Sequence, residues 1–230
     1  MMRPVKLLLT QVVIIVLAAY VAYLDGVLYI FFATFPSLWE DGYGESVAIG
    51  SLNYVSVCVG FLIGSQASPQ CGNWMYSKLK SRFSSNGKPE FRLPLIIPVA
   101  MVVPVGLLVY GWAAEYTVHW IVPNVGTCLV AFASLTNIQA IQLYIMDYYT
   151  ENSASALAAL NTAKYLTGAF FPLFAPPMYA GLGYGWGNTL LAIISIVVGI
   201  PVPLLLLKYG ERLRKKSPFA VKQDETQDQV

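Results

Sequence analysis

The sequence predicts an all-α membrane protein with six transmembrane helices. Three observations favour this fold class: 57% of the 230 residues are hydrophobic, only 11% are charged, and the mean hydropathy is +0.59. Soluble domains carry about 25% charged residues, so a bilayer is the expected solvent. Six spans of about 20 residues and their connections use most of this length, which excludes an ordinary soluble enzyme.

Uncharged runs locate the spans in order along the chain. The first run is longer than a signal-peptide core and lacks a small-residue cleavage site, so we interpret it as a membrane span. The run 165–207 exceeds what one crossing of a hydrocarbon core about 30 Å thick requires. Its glycine-rich stretch 181–187 predicts a turn there, because glycine tolerates tight-turn backbone angles. The predicted spans are 7–39, 47–66, 93–114, 119–146, 153–180 and 188–207.

The charges between the spans predict the orientation, because Lys and Arg resist translocation and mark the cytoplasmic side. Cations precede the first span, occupy the loop 67–92 and follow the sixth span. The turn after the first span carries only acids, and the connections 115–118 and 181–187 lack Lys and Arg. The connection 147–152 has two acids and no base, and it does not help to decide. We expect residues 1–215 to form the transmembrane unit and 216–230 a disordered cytoplasmic tail, with both termini in the cytoplasm.

Two charged residues fall inside predicted spans, where each would cost about 2.5–3.5 kcal/mol at a helix centre. Lys164 lies about 16 Å and Asp25 about 27 Å from the inner ends of their helices. A direct ion pair would require the first helix to shift by several ångströms, and it stays open. Asp25 is either an interfacial carboxylate or a cavity or proton-coupling group, with equal weight. For Lys164 a functional role is favoured over a side chain that snorkels along a neighbouring helix.

The fourth span carries the amides Asn137, Gln139 and Gln142, and the two glutamines share one helical face. Two interpretations stay open: interhelical hydrogen bonds worth about 0.6 kcal/mol per pair, or the polar edge of a substrate cavity. The three cysteines form no CxxC pair, so neither a disulfide nor a metal site can be argued. Without paired carboxylates or a nucleophile beside a base, we expect neither an intramembrane enzyme nor a cofactor.

Several motifs together resemble a known family. They are PEFRLP at 89–94, WIVPNVG at 120–126, QAIQLYIMDYY at 139–149, GAFFPLFAP at 168–176 and YGERLR at 209–214. Their combination resembles the second half of a fungal major facilitator superfamily transporter, of the drug:proton antiporter type that includes multidrug, polyamine and toxin exporters. The resemblance covers roughly residues 3 to 214. It implies half of a major facilitator superfamily fold, equivalent to spans seven to twelve of a twelve-helix transporter.

The resemblance also implies roles for individual residues. Asp147 and Tyr149 occupy the inner-end D-x-Y of the family's tenth helix, so we expect them at an inner gate. Lys164 stands where the family usually has an arginine, which keeps the positive charge. Asp25 stands where the family generally has an aromatic or apolar residue, and this departure is either a private specificity feature or a sign of relaxed selection.

These observations predict a transporter half that exports an amphipathic small molecule, such as a drug, toxin or secondary metabolite, against proton entry. Asp25, Asn137, Gln139, Gln142 and Lys164 are the candidates for the substrate cavity or coupling. The expected partners are the substrate, protons, the lipid bilayer, and a second six-helix half or another copy of the chain; no nucleic acid is expected. The expected location is the plasma membrane. The alternative is a non-transporting remnant or a regulatory interaction subunit in the membrane.

Overall fold

The structure, a computed structural model, describes residues 8–83 and 89–216, and most of these residues are helical. Lys6, Lys88 and residues 217–230 of the predicted tail lie outside the described residues. Lys216, the first residue of that predicted tail, is helical. The α-helices are α1 (Val12–Ser37), α2 (Val47–Leu52), α3 (Tyr54–Phe83), α4 (Ile96–Ala100), α5 (Val102–Glu115), α6 (Ile121–Tyr148), α7 (Ser153–Gly199) and α8 (Pro201–Lys216). A π-helix (Leu38–Gly42) extends α1, and 3-10 segments (Pro89–Leu95 and Thr150–Asn152) precede α4 and α7.

Five helical segments are long and apolar enough to cross a membrane. They are Val12–Gly42, Val47–Arg82, Glu90–Glu115, Ile121–Tyr148 and Ser153–Gly210. The last segment has 58 residues. As one straight helix it would be about 87 Å long, nearly three times the thickness of the hydrocarbon core. It therefore has to supply more than one crossing.

Gly183 divides this segment into two arms. Its backbone angles, φ 73° and ψ 172°, are not helical. The hydroxyl of Tyr179 donates a hydrogen bond to Oδ1 of Asn188 at 3.3 Å, and the rings of Tyr179 and Tyr184 stack at 4.6 Å. In a straight helix, residues nine positions apart would be about 13 Å apart along the axis. The chain thus reverses direction at Gly183, inside the predicted turn. Within α7 only Gly183 leaves helical geometry, whereas the prediction placed the whole stretch 181–187 in the turn.

The described residues cross the bundle six times, and the connections alternate between its two ends. At one end, the Glu115 end, the hydroxyl of Tyr43 donates to the carbonyl of Val118 at 2.8 Å. At the other, the Asp147 end, Arg92 lies 2.6 Å from Asp147. Because the number of crossings is even, α1 begins and α8 ends at the Asp147 end.

Helix α1 lies at the centre of the bundle and α3 at its edge. In the most apolar 18-residue stretch of each segment, 78% of the residues are buried in the first segment and 28% in the second. Glycines let α1 approach the first arm of α7 closely: a Cβ on Gly26 would lie 2.5 Å from the ring of Phe171, and a Cβ on Gly168 would lie 2.8 Å from the ring of Tyr29. Small residues at an interface allow such backbone proximity in membrane helices.

Candidate functional site

The two charged residues of the predicted spans form an ion pair inside the bundle. Nζ of Lys164 lies 3.3 Å from Oδ1 of Asp25. The Asp25 side chain is only 8% exposed, whereas that of Lys164 is 24% exposed. The pair therefore joins α1 to the first arm of α7 with the carboxylate in the interior and part of the lysine accessible.

Helix geometry explains why the pair forms although the depths predicted from sequence differ by about 11 Å. After helical residues 8–10 and the non-helical Gln11, α1 begins at Val12, which brings Asp25 to about 20 Å from the start of this helix. Lys164 lies 11 residues into α7, or about 16 Å from its start. The remaining offset of about 4 Å is within the reach of a lysine side chain.

The surroundings of the pair offer the lysine a second interaction. Its Nζ lies 5.8 Å from the ring centroid of Tyr165, within the range of a cation–π contact. One helical turn along, the hydroxyl of Thr167 donates to the carbonyl of Ala22 at 2.8 Å, which ties the two backbones together beside the pair. The pair thus lies beside a direct hydrogen bond between the two helices, and the lysine is its more exposed member.

The three amide side chains of α6 lie in different environments. Asn137 is fully buried, and neither atom of its amide has a hydrogen-bond partner among the described residues. Gln139 and Gln142 are half-buried. Asn137 lies 11 residues from the end of α6 at Tyr148, the same distance that Lys164 lies into α7, so both are at similar depth. Within the described part of the chain, no hydrogen bond joins these amides to the ion pair.

The inner-gate candidates lie together at the Asp147 end. Asp147 accepts a hydrogen bond from Nε of Arg92 at 2.6 Å, and Tyr149 is fully buried with its ring 4.6 Å from that of Tyr148. The guanidinium of Arg92 lies 5.2 Å from the ring centroid of Tyr76 on α3. Sequence reasoning missed Arg92 as a partner, although it is the cation of the PEFRLP motif that opens the third span.

A second polar contact, which sequence reasoning missed, lies at the Glu115 end of the bundle. Oε2 of Glu115 accepts a hydrogen bond from the backbone N–H of Gly185 at 3.1 Å. A Cβ on Gly183 would lie 2.6 Å from the same oxygen, so the turn and the carboxylate fit against each other. Spacing along the chain gives no signal for this contact, because the two elements are about 70 residues apart.

Comparison with known proteins relates the chain to fungal transporters. It is 44% identical to the efflux pump vrtL of Penicillium aethiopicum over 218 residues, covering 95% of this chain and 43% of that protein. It is 41% identical to the MFS-type transporter oryF of Aspergillus oryzae, covering 94% of this chain and 45% of that protein. It is 37% identical to the probable efflux pump mfs2 of Aspergillus flavus, covering 92% and 50%. The chain thus spans about half the length of the curated relatives it matches.

These relatives confirm the resemblance to fungal transporters of the major facilitator superfamily, and with the helical architecture they identify the fold as half of that superfamily's fold. They are transporters by name and not enzymes. The apolar helices and these relatives together make the chain an integral membrane protein. No protein-family model and no solved structure matches the chain.

Proposed function

We propose that this chain, homologous to half of a fungal major facilitator superfamily transporter, forms one half of the substrate path of a proton-coupled exporter of amphipathic small molecules. The observation that carries this proposal is the Asp25–Lys164 ion pair, with Nζ and Oδ1 3.3 Å apart. Ionisable residues inside membrane spans are costly, and they commonly mark substrate or proton paths. Drugs, toxins and secondary metabolites are the proposed substrates, and multidrug resistance is the corresponding phenotype.

The proposed coupling uses the pair as a switch. With Asp25 ionised, its carboxylate holds Lys164 at the α1–α7 interface. A proton entering on Asp25 removes that charge, and the lysine head turns towards Tyr165 and the accessible side. Gln139 and Gln142 are proposed to add hydrogen bonds to a bound substrate from α6, and Asn137 to contribute from the buried side.

The proposed mechanism is alternating access by rocking of two six-helix halves, and one half alone supplies only one wall of a cavity between such halves. The second wall would come from a complementary half or from another copy of the chain. In this scheme residues 1–215 form the transmembrane half, and Asp147 and Tyr149 brace the gate at the Asp147 end.

An efflux assay tests the role of Lys164. The chain is expressed together with the complementary half of a homologous efflux pump, and release of a fluorescent dye is normalised to protein level. Lys164→Ala is expected to slow efflux about tenfold, because it removes the intramembrane cation. Lys164→Arg, which keeps the charge, should retain efflux. Lys208→Ala, which removes an exposed lysine of α8, is the matched control. Unchanged efflux in Lys164→Ala would remove this residue from the mechanism.

A proton-gradient experiment tests the coupling separately. The chain and its complementary half are placed together in liposomes, and a pH gradient is imposed. The gradient should accelerate substrate flux by the unmodified protein and should not change substrate flux by Asp25→Asn. Glu40→Gln, at an exposed acid outside the membrane core, should respond like the unmodified protein. If Asp25→Asn still responds fully to the gradient, the proton is carried elsewhere.

The isolated chain distinguishes transport from the alternative of a non-transporting subunit. In liposomes the chain alone should show no proton-coupled flux, and flux should appear when the complementary half is added. Flux by the monomeric chain would contradict the need for a second wall. Absence of flux with every complementary half tried, at normal protein levels, would favour the regulatory subunit.

The proposed location is the plasma membrane with both termini in the cytoplasm. The distribution of Lys and Arg supports the cytoplasmic termini, as does the position of Val12 and Lys216 at the same end of the bundle. Tags fused at positions 1 and 230 should both be protected from an external protease in intact cells. Labelling of the two tags from opposite sides of the membrane would contradict the six-span topology.

A further inference from the structure

The last turns of α3 carry an exposed aromatic and cationic surface that the transport proposal does not use. Trp74, Lys78 and Arg82 are four residues apart, so they lie on one side of the helix. All three are exposed, with Trp74 at 60%. Nζ of Lys78 lies 4.6 Å from the centroid of the Trp74 ring. We call these three residues the basic ridge.

The depth of the basic ridge matches the headgroup layer of a bilayer. The second segment begins at Val47, and Trp74 and Lys78 lie about 40 Å and 46 Å further along the helix. A hydrocarbon core is about 30 Å thick, and the bilayer is about 40–45 Å thick with its headgroups. With Val47 at the opposite surface of the bilayer, the Trp74 ring falls among the headgroups of the leaflet at the Asp147 end, and the Lys78 ammonium falls at their outer edge. Arg82 lies about 52 Å along the helix, and its long side chain inclines back towards that edge because helical side chains point towards the N-terminus.

The charges of the basic ridge are not compensated within its helix. No Asp or Glu occurs between Tyr54 and Phe83. Among the acids at the Asp147 end whose side chains the structure describes, Glu90 is buried and Asp147 is bound to Arg92. The ridge therefore presents positive charge to whatever lies in the headgroup layer beside it.

The same side of α3 continues into an apolar surface. Ile63 lies three helical turns before Trp74 on nearly the same face and is 52% exposed. An occupant of this surface thus meets a hydrocarbon-facing side chain at depth, an aromatic ring at the interface, and then cations. Acyl chains joined to an anionic headgroup have this order of chemistry, whereas a soluble anion would contact only the cations.

From this arrangement we propose that the basic ridge is a binding site for one anionic phospholipid of the adjacent leaflet. The phosphate and the acidic headgroup lie against Lys78 and Arg82, and the glycerol region packs against the Trp74 ring. Lys78 held over the ring presents its ammonium to the headgroup. The site depends on the chain spanning a bilayer and not on transport.

Native mass spectrometry of the purified full chain tests the proposal. The chain in detergent micelles is titrated with phosphatidylserine or phosphatidylcholine of the same acyl chains, and the fraction carrying one lipid is measured. Phosphatidylserine should bind more tightly, and each cation removed from the ridge should weaken it about fivefold. The double variant Lys78→Gln/Arg82→Gln should therefore lose about 25-fold, whereas Lys78→Arg should bind like the unmodified chain.

Lys80→Gln is the matched control, because Lys80 is exposed on the same helix but on a different side from Lys78. It should change phosphatidylserine binding less than about twofold. Size-exclusion elution and helical content check that each variant stays folded, which is expected at exposed positions. Equal retention of the two lipids by the unmodified chain would overturn the proposal. A loss of phosphatidylserine binding in Lys80→Gln as large as in Lys78→Gln would also overturn it, because binding would then depend on the overall positive charge of the helix and not on the basic ridge.

Discussion

Removing the partners of the Asp25–Lys164 pair one at a time should destabilise the bundle unequally. Lys164→Gln leaves a carboxylate that is 8% exposed, and Asp25→Asn leaves an ammonium that is 24% exposed. Asp25 is short and anchored in the central helix, so in the resting bundle its charge stays in the interior. Lys164 has a flexible stem that can carry its charge towards the accessible side. We therefore expect Lys164→Gln to be the more harmful change.

The expected magnitudes follow from the costs of unpaired charges. Breaking a buried pair by removing one partner costs about 3–5 kcal/mol of the free energy of unfolding. For Lys164→Gln the cost has an upper bound, because protonating a carboxyl with an ordinary pKa near 3.9 costs about 4 kcal/mol at pH 7. We expect about 3–4 kcal/mol for this variant, and about 1 kcal/mol for Asp25→Asn because the lysine head is partly accessible and its stem is flexible. The double variant, which has no charge left, should lie within about 1 kcal/mol of the unmodified chain.

Reversible unfolding in mixed micelles, followed by helical content, measures these free energies. The reasoning is refuted if Asp25→Asn costs as much as Lys164→Gln, or if the two single costs add up to that of the double variant.

The remaining predictions use the same unfolding assay. Gly60→Ala should cost about 1–3 kcal/mol, because a Cβ there would lie 2.5 Å from the backbone carbonyl of Cys128, which cannot move aside. Gly181→Ala, with nothing within 4 Å of its Cβ, should be neutral or stabilising, and equal losses at the two glycines would contradict the close approach of α3 and α6. Arg92→Gln should cost about 1–3 kcal/mol, and its coupling to Asp147→Asn in a double-mutant cycle should exceed about 0.5 kcal/mol. Additive effects at these two positions would mean that the ion pair contributes nothing to stability.

The sequence was sufficient to predict the architecture, because uncharged runs and bilayer thickness leave few alternatives. Composition placed the fold-back between the fifth and sixth spans near its observed position. It could not show that Gly183 alone leaves helical geometry, since several glycines of that stretch are equally permissive and only the contact with Glu115 distinguishes them. Likewise the second span was predicted to end at residue 66, whereas α3 continues to Phe83 as a helix that emerges from the hydrocarbon core.

The residues of the candidate site could be predicted from the sequence, but the contacts between them could not. A charge inside an apolar run is visible in the sequence, which is why Asp25 and Lys164 were candidates. Their pairing depended on where α1 begins, and an uncertainty of five residues at a helix start is about 7.5 Å, larger than the reach that decides an ion pair. The Arg92–Asp147 contact joins elements 55 residues apart, and no periodicity predicts such a distance. The roles proposed for Asn137, Gln139, Gln142 and Tyr149 stay predictions.

The intramembrane ion pair and the glycine contacts belong to one interface, and this determines what the pair can do. Phe171 fills the space over Gly26, one residue from Asp25, so α1 and the first arm of α7 have no slack across the pair. The hydroxyl of Thr167 also donates to the carbonyl of Ala22, so the two helices are held close together beside the 3.3 Å ion pair. In the proposed coupling, a change of charge at Asp25 would therefore act on the lysine head, which is the accessible part of the pair. It would move that head at the surface of α7, where a substrate or a second half is proposed to meet this chain.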